Sequence, residues 1–153
     1  MELTPTEIKK ISREFRIPEA AIQKLLVDEE RLQKIMAMKK EFSQAQSTNE
    51  KSLLLASWID LCLTFSEFEE IYVTNDYETL GFSFFEKWLK ASGGYKEKRE
   101  VYNCLSTNEE KASLAKLWLL SASATEDIRE AMSYFDKNSD EYRLGIKKII
   151  KSY

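Results

Sequence analysis

Histidine is absent from the 153 residues of this chain. Without it the chain cannot form a Ser-His or Cys-His nucleophilic triad, a zinc site that uses histidine, or a histidine general base. No other arrangement of residues suggests a cofactor or a metal ion. We therefore predict a non-enzymatic protein with no catalytic residue, no cofactor and no metal site. An enzyme that uses carboxylate or lysine chemistry remains an alternative.

Residues that break helices are also scarce. Four glycines and two prolines favour long helices. No stretch alternates apolar and polar residues for long enough to predict a strand. The two cysteines, Cys62 and Cys104, lie far apart among apolar residues, which predicts buried free thiols rather than a disulfide.

Charge and hydrophobicity limit the partners. The net charge is −3, with 23 basic and 26 acidic residues, so the chain lacks the strong positive field of proteins that bind nucleic acid in bulk. The longest apolar run, 53–65, is too short to cross a bilayer, so we predict no membrane insertion. The first residues do not resemble a signal peptide, and cytoplasmic localisation is the default expectation. A secreted or translocated effector remains an alternative, since a removed leader would leave no trace.

Capping signals mark the helix starts. Thr4-Pro5-Thr6-Glu7 and Ser47-Thr48-Asn49-Glu50 each place a hydroxyl side chain where it can accept a hydrogen bond from the backbone three residues later. Apolar residues follow at helical spacing. The predicted fold is an all-α, multi-helix bundle of about eight helices. Two tandem helical repeat units behind an N-terminal helical hairpin are one arrangement of that fold.

The repeat is visible in two segments. Residues 39–58 resemble residues 98–118, with one residue inserted, and STNE occurs in both. Shared cap chemistry alone could explain STNE, but Trp58 and Trp118 also fall in register, which favours a duplication. The predicted organisation is a hairpin at 1–37 and helical units at 38–92 and 93–153, or one compact domain. Both tryptophans are then expected to be buried in equivalent places.

The N-terminal hairpin has the apolar spacing of a helix-turn-helix. The second helix of the hairpin would offer side chains to DNA, and Asp28 would cap a third helix after it. Two features argue against DNA binding. Arg16 occupies the turn position that usually holds glycine, and Glu19 lies near the helix end that would face the DNA phosphates. A plain hairpin has the same spacing, so a DNA-binding regulator is an alternative function. The candidate DNA-binding residues are Arg16, Glu19, Gln23 and Lys24.

Aromatic residues crowd the segment 80–89. At 100° per residue its apolar side chains cover about 200° of a helix, whereas packing on one core needs little more than 100°. Either the helix lies between two layers or part of its face binds a partner, with Phe82 and Phe84 near the edges. We predict a protein–protein interaction module of adaptor, chaperone, immunity or effector type, whose partner is another protein or a second copy. The candidate partner-binding residues are Phe82, Phe84, Phe85 and Trp88.

Overall fold

The chain is predominantly helical. A computed structural model describes residues 2–153 except for the side chain of Glu78, and within this range it contains helices and no strand. Nine of these helices have eight or more residues, and one is a single turn. In chain order they are α1 (Pro5–Phe15), α2 (Glu19–Gln44), α3 (Thr48–Leu61), α4 (Phe65–Thr74), α5 (Tyr77–Leu80), α6 (Phe82–Ala91), α7 (Tyr95–Cys104), α8 (Asn108–Ser121), α9 (Thr125–Met132) and α10 (Asp140–Lys151). The predicted all-α, multi-helix fold is confirmed.

The helices form two compact units, which we call the N-terminal unit (α1 to α3, ending at Cys62) and the C-terminal unit (α4 to α10, beginning at Leu63). This division differs from the predicted boundaries after residues 37 and 92. Helix α2 runs unbroken through residue 37, because Asp28 does not cap a new helix. Instead its carboxylate accepts hydrogen bonds from Arg31, one turn further along the same helix.

In the N-terminal unit, the predicted cap begins α1. The Thr4 side chain accepts a hydrogen bond from the Glu7 amide, and Pro5 occupies the first turn. Ile8 and Ile22 are buried where α1 packs on α2. Further along α2, the Phe42 ring lies 5.7 Å from the Trp58 ring of α3.

The C-terminal unit has an aromatic core centred on α6. The Trp88 ring lies 5.4 Å from Phe65 and 5.2 Å from Tyr72, and its side chain is 1% exposed. Towards the end of the chain, Trp118 lies 5.8 Å from Tyr134. These rings are close enough to contribute through their geometry as well as through buried area.

Helix boundaries recur every 30 residues. Helices α3, α6, α8 and α10 end at residues 61, 91, 121 and 151, and helices α4, α7 and α9 begin at residues 65, 95 and 125. Trp58, Trp88 and Trp118 occupy the same place in three of these repeats, and all three are buried. The structural repeat is therefore half as long as the predicted unit of about sixty residues. A repeat of this length is typical of stacked helical hairpins.

The two STNE segments differ in cap position. Ser47 caps α3, but Thr107, not Ser106, caps α8. Trp58 and Trp118 are therefore the same distance from their cap residues, and the repeats match without the inserted residue. The burial predicted for both tryptophans is confirmed.

Replacing a repeat tryptophan should be costly because its indole fills the core. We expect Trp88→Ala to lower the free energy of unfolding by about 3–5 kcal/mol through lost contacts and a residual cavity. Val73→Ala removes an apolar side chain that is 71% exposed and should change it by less than about 0.5 kcal/mol. Chemical denaturation of both variants measures the difference. Equal effects would contradict the central role of Trp88.

Candidate protein-binding groove

The predicted aromatic partner face lies mostly in the core. Phe84, Phe85 and Trp88 are at most 1% exposed, and only Phe82 is half-buried. Helix α6 packs against α4, α7 and α8, so neighbouring helices cover most of its wide apolar arc. The alternative of a helix between layers therefore accounts for the arc, and three of the four candidate side chains are inaccessible to a partner.

The candidate DNA-binding residues, Arg16, Glu19, Gln23 and Lys24, are all exposed. Close to them in sequence, a surface cavity of about 500 Å³ is lined by the acidic residues Glu2, Glu29 and Glu30 together with apolar residues of α2. Carboxylates repel phosphates, so this surface does not supply the continuous positive face that DNA binding requires. DNA binding remains a sequence-based hypothesis without structural support.

A cluster of charges joins α7 to α9. Arg99 donates to Glu130 over 2.6 Å, and the Tyr134 hydroxyl donates to the same carboxylate over 2.8 Å. The hydrogen bond from Arg99 lowers the pKa of Glu130, while burial and the bond to Glu130 raise the pKa of Tyr134. Lys98 and Asp127 form a second pair 3.2 Å apart, each with 14% of its side chain exposed.

These charged groups pair with one another across two packed helices, and among their buried oxygens Asp127 Oδ1 has no hydrogen-bond partner among the described residues. Such pairing favours a structural role over the poised, unpaired groups of a catalytic site. Among the described side chains, which are those of residues 2–77 and 79–153, no three Cys, Asp or Glu are placed to bind a metal ion.

A groove lies between α9 and α10 in the C-terminal unit. Its volume is about 500 Å³, and its apolar lining comes from Met132, Phe135, Tyr142, Ile146 and Ile149. Ile146 is 42% exposed. The groove is an open apolar surface, in contrast to the buried face of α6.

Close packing of the two helices forms the floor. Gly145 is buried, and a Cβ atom at this position would lie 2.8 Å from the Cβ of Met132. Because real Cβ atoms do not approach so closely, glycine allows α10 to lie directly against the end of α9. The Ser139 side chain caps the start of α10 by accepting a hydrogen bond from the Tyr142 amide, which fixes where the helix begins.

Lys148 attaches α10 to the end of α8. Its ammonium group donates hydrogen bonds to the backbone oxygens of Leu119, Leu120 and Ala122, at 2.7, 2.8 and 2.9 Å. These oxygens lie at the C-terminal end of α8, where helix carbonyls lack partners and the helix dipole favours a cation. Lys148 thereby orients α10 so that Ile146 and Ile150 face outward.

The charged residues that line the groove are both basic. Arg129 stands on α9, and Lys137 lies in the connection before α10. Neither forms an ion pair with another described residue. On α10, Arg143 and Lys147 lie within about 60° of Ile150 on the helical wheel. An apolar floor between basic edges suits an acidic amphipathic ligand.

Comparison with protein-family models, with curated proteins and with solved structures gave no match. Within residues 2–153, no helix is both long and apolar enough to cross a membrane.

The sequence held a weak signal for this groove. Tyr142, Ile146, Ile149 and Ile150 follow one another at helical spacing in a segment otherwise rich in charge. Nothing local, however, shows which side of α10 its neighbours cover. That depends on Gly145 and on the reach of Lys148.

Removing the Lys148 cap should weaken the C-terminal unit. We expect Lys148→Met to lower the free energy of unfolding by about 1–3 kcal/mol, because charge-assisted hydrogen bonds to the end of α8 are lost. The neighbouring Lys147 is exposed and forms no hydrogen bond or ion pair with a described residue. Lys147→Met is therefore the matched control, and its effect should be below about 0.5 kcal/mol. Similar thermal melting curves for the two variants would contradict this role.

Proposed function

We propose that this chain is a protein-interaction module that binds an acidic amphipathic helix of a partner in the α9–α10 groove. The observation that carries the proposal is an open apolar groove with only basic residues among its charged lining. The predicted class of function is retained, but the proposed surface moves from α6 to α10.

The shape of the groove favours a helical ligand. Its walls are two helices, and the apolar side chains of α10 follow one another along the helix axis. Amphipathic helices bind such grooves through anchors spaced at i, i+3, i+4 and i+7. The exposed fractions of Ile146 and Ile150, 42% and 66%, leave area that a partner can bury.

Comparison within the repeat strengthens the case. The residues 30 and 60 positions before Ile146 are Lys116 and Glu86. The residues 30 and 60 positions before Ile150 are Leu120 and Lys90. Three of these four residues are charged, as expected for a helix face in water. Helix α10 instead carries isoleucine at both positions, which favours a covering partner.

The basic residues give the groove a preference for negatively charged ligands. Arg129 and Lys137 would attract carboxylates beside the apolar anchors of a bound helix. Opposite charges at an interface raise the association rate and select among partners, and the effect weakens with salt. An acidic helix should therefore bind more tightly than a basic helix with the same apolar face.

The groove can be tested with designed helical peptides. One peptide carries leucine at i, i+3, i+4 and i+7 with flanking glutamates, a second has lysines in place of the glutamates, and a third is a scrambled sequence. We expect the acidic peptide to bind the chain at least about tenfold more tightly than the basic peptide, a difference of about 1.4 kcal/mol. Fluorescence anisotropy measures the affinities, and the preference should shrink as salt is added.

Variants locate the binding site. Ile146→Asp with Ile150→Asp should reduce acidic-peptide affinity at least tenfold, because apolar contacts are lost in the groove at Ile146 and one turn further along α10 at Ile150. Val73→Asp introduces one such charge at an apolar position outside the groove that is 71% exposed, and it should leave affinity unchanged. Lys137→Glu should weaken binding, whereas Lys116→Glu on α8 should not. The proposal is wrong if the peptides bind equally or if the isoleucine variant binds as well as the unmodified chain.

A further inference from the structure

A second exposed apolar surface lies on α2. Leu25, Leu32 and Met36 are 61%, 43% and 68% exposed. At 100° per residue they fall within about 40° of one another, so they form one stripe along the helix. We call these three residues the α2 stripe. Such a stripe is unusual on a surface helix that faces only water.

Acidic residues border the α2 stripe. Asp28 and Glu29 lie within about 60° of its centre, one on each side. Asp28 is paired with Arg31 at 2.9 Å, whereas Glu29 lines the acidic cavity with Glu30. Between Leu25 and Met36 the acidic residues are Asp28, Glu29 and Glu30, and the basic residues are Arg31 and Lys34, so this segment has a net charge of −1. The α2 stripe therefore has a small acidic excess beside it, which complements the basic lining of the α9–α10 groove.

We propose that the α2 stripe of one copy of this chain occupies the α9–α10 groove of a second copy. The inference rests on the proposed function, since it names the partner helix for the same groove. Charge complementarity supports it, because Glu29 beside the α2 stripe is acidic and the charged residues that line the groove, Arg129 and Lys137, are basic. Burial of the apolar side chains on both surfaces supplies the main driving force.

The lengths of the two surfaces are compatible. From Tyr142 to Ile149 the wall of the groove rises about 10 Å at 1.5 Å per residue, which equals the rise from Leu25 to Leu32 in the α2 stripe. Two anchors of the α2 stripe can therefore engage the groove together. Because the two surfaces differ, the contact is heterologous, and it produces either a reciprocal dimer or a growing chain of copies.

Two variants that each lose one surface provide the sharpest test. The groove variant carries Ile146→Asp and Ile150→Asp, and the stripe variant carries Leu25→Asp and Met36→Asp. All four positions are exposed, so neither variant should lose its fold, which circular dichroism verifies. We expect the unmodified chain to self-associate with rising concentration in analytical ultracentrifugation, and each variant alone to do so at least about tenfold more weakly.

Mixing the two variants should restore association. The intact α2 stripe of the groove variant can enter the intact groove of the stripe variant, which gives a one-to-one complex. Leu53→Asp, at a position that is 72% exposed on α3, is the control and should self-associate like the unmodified chain. A monomeric unmodified chain, or variants that do not associate when mixed, would overturn the proposal.

A charge exchange gives an independent measurement. Glu29→Lys and Lys137→Glu should each weaken self-association, and the two changes in one chain should restore it, because each copy then presents the reversed pair. Failure of the double variant to recover, with both single variants impaired, would also overturn the proposal. If the acidic peptide binds the groove but the chain stays monomeric, the helix-binding function stands and the second copy is not the partner.

Discussion

Three buried tryptophans constrain the packing of successive segments of the chain in the same way. Each indole needs neighbouring side chains around it, and none of the three indole nitrogens has a hydrogen-bond partner among the described residues. Packing of the rings therefore stabilises these sites, and the unpaired polar group adds a cost that packing must exceed. An aromatic residue 16 positions earlier packs against Trp58 and Trp88, namely Phe42 and Tyr72. The constant spacing of 16 residues between the two packed rings therefore constrains the lengths of the helices and of the connections between them.

The groove follows from the place where this pattern changes. In α10 the position that corresponds to tryptophan holds Lys148, and the preceding buried position holds Gly145 where α8 has Ala115. A lysine cannot fill a core as an indole does, but its ammonium group can reach the carbonyl oxygens at the end of α8. Helix α10 is thus attached by a hydrogen-bonded cation and a glycine contact. The outer side of α10 is not needed for this attachment, and it carries Ile146 and Ile150.

Local chemistry explains what the sequence predicted well. The helix starts at Thr4 and Ser47 depend on side chains within three residues, so these starts can be predicted from the sequence. The 30-residue repeat was missed because α6 follows Gly81 and has no side-chain cap. The α6 copy therefore lacks the STNE signal that marked the other two.

Nonlocal packing explains what the sequence could not show. The aromatic arc of α6 and the aliphatic face of α10 are both wide on a helical wheel, yet one is core and the other is exposed. The difference arises from the neighbours: α6 contacts three helices of its unit, whereas Gly145 and Lys148 fix α10 by one side only. Aromatic rings such as Phe85 can fill a space shared by several helices, and α6 uses most of its arc in that way, with Phe82 half-buried at the edge. A wide apolar arc therefore indicates how much area a helix must bury, and only the tertiary contacts determine whether the chain itself or a partner covers it.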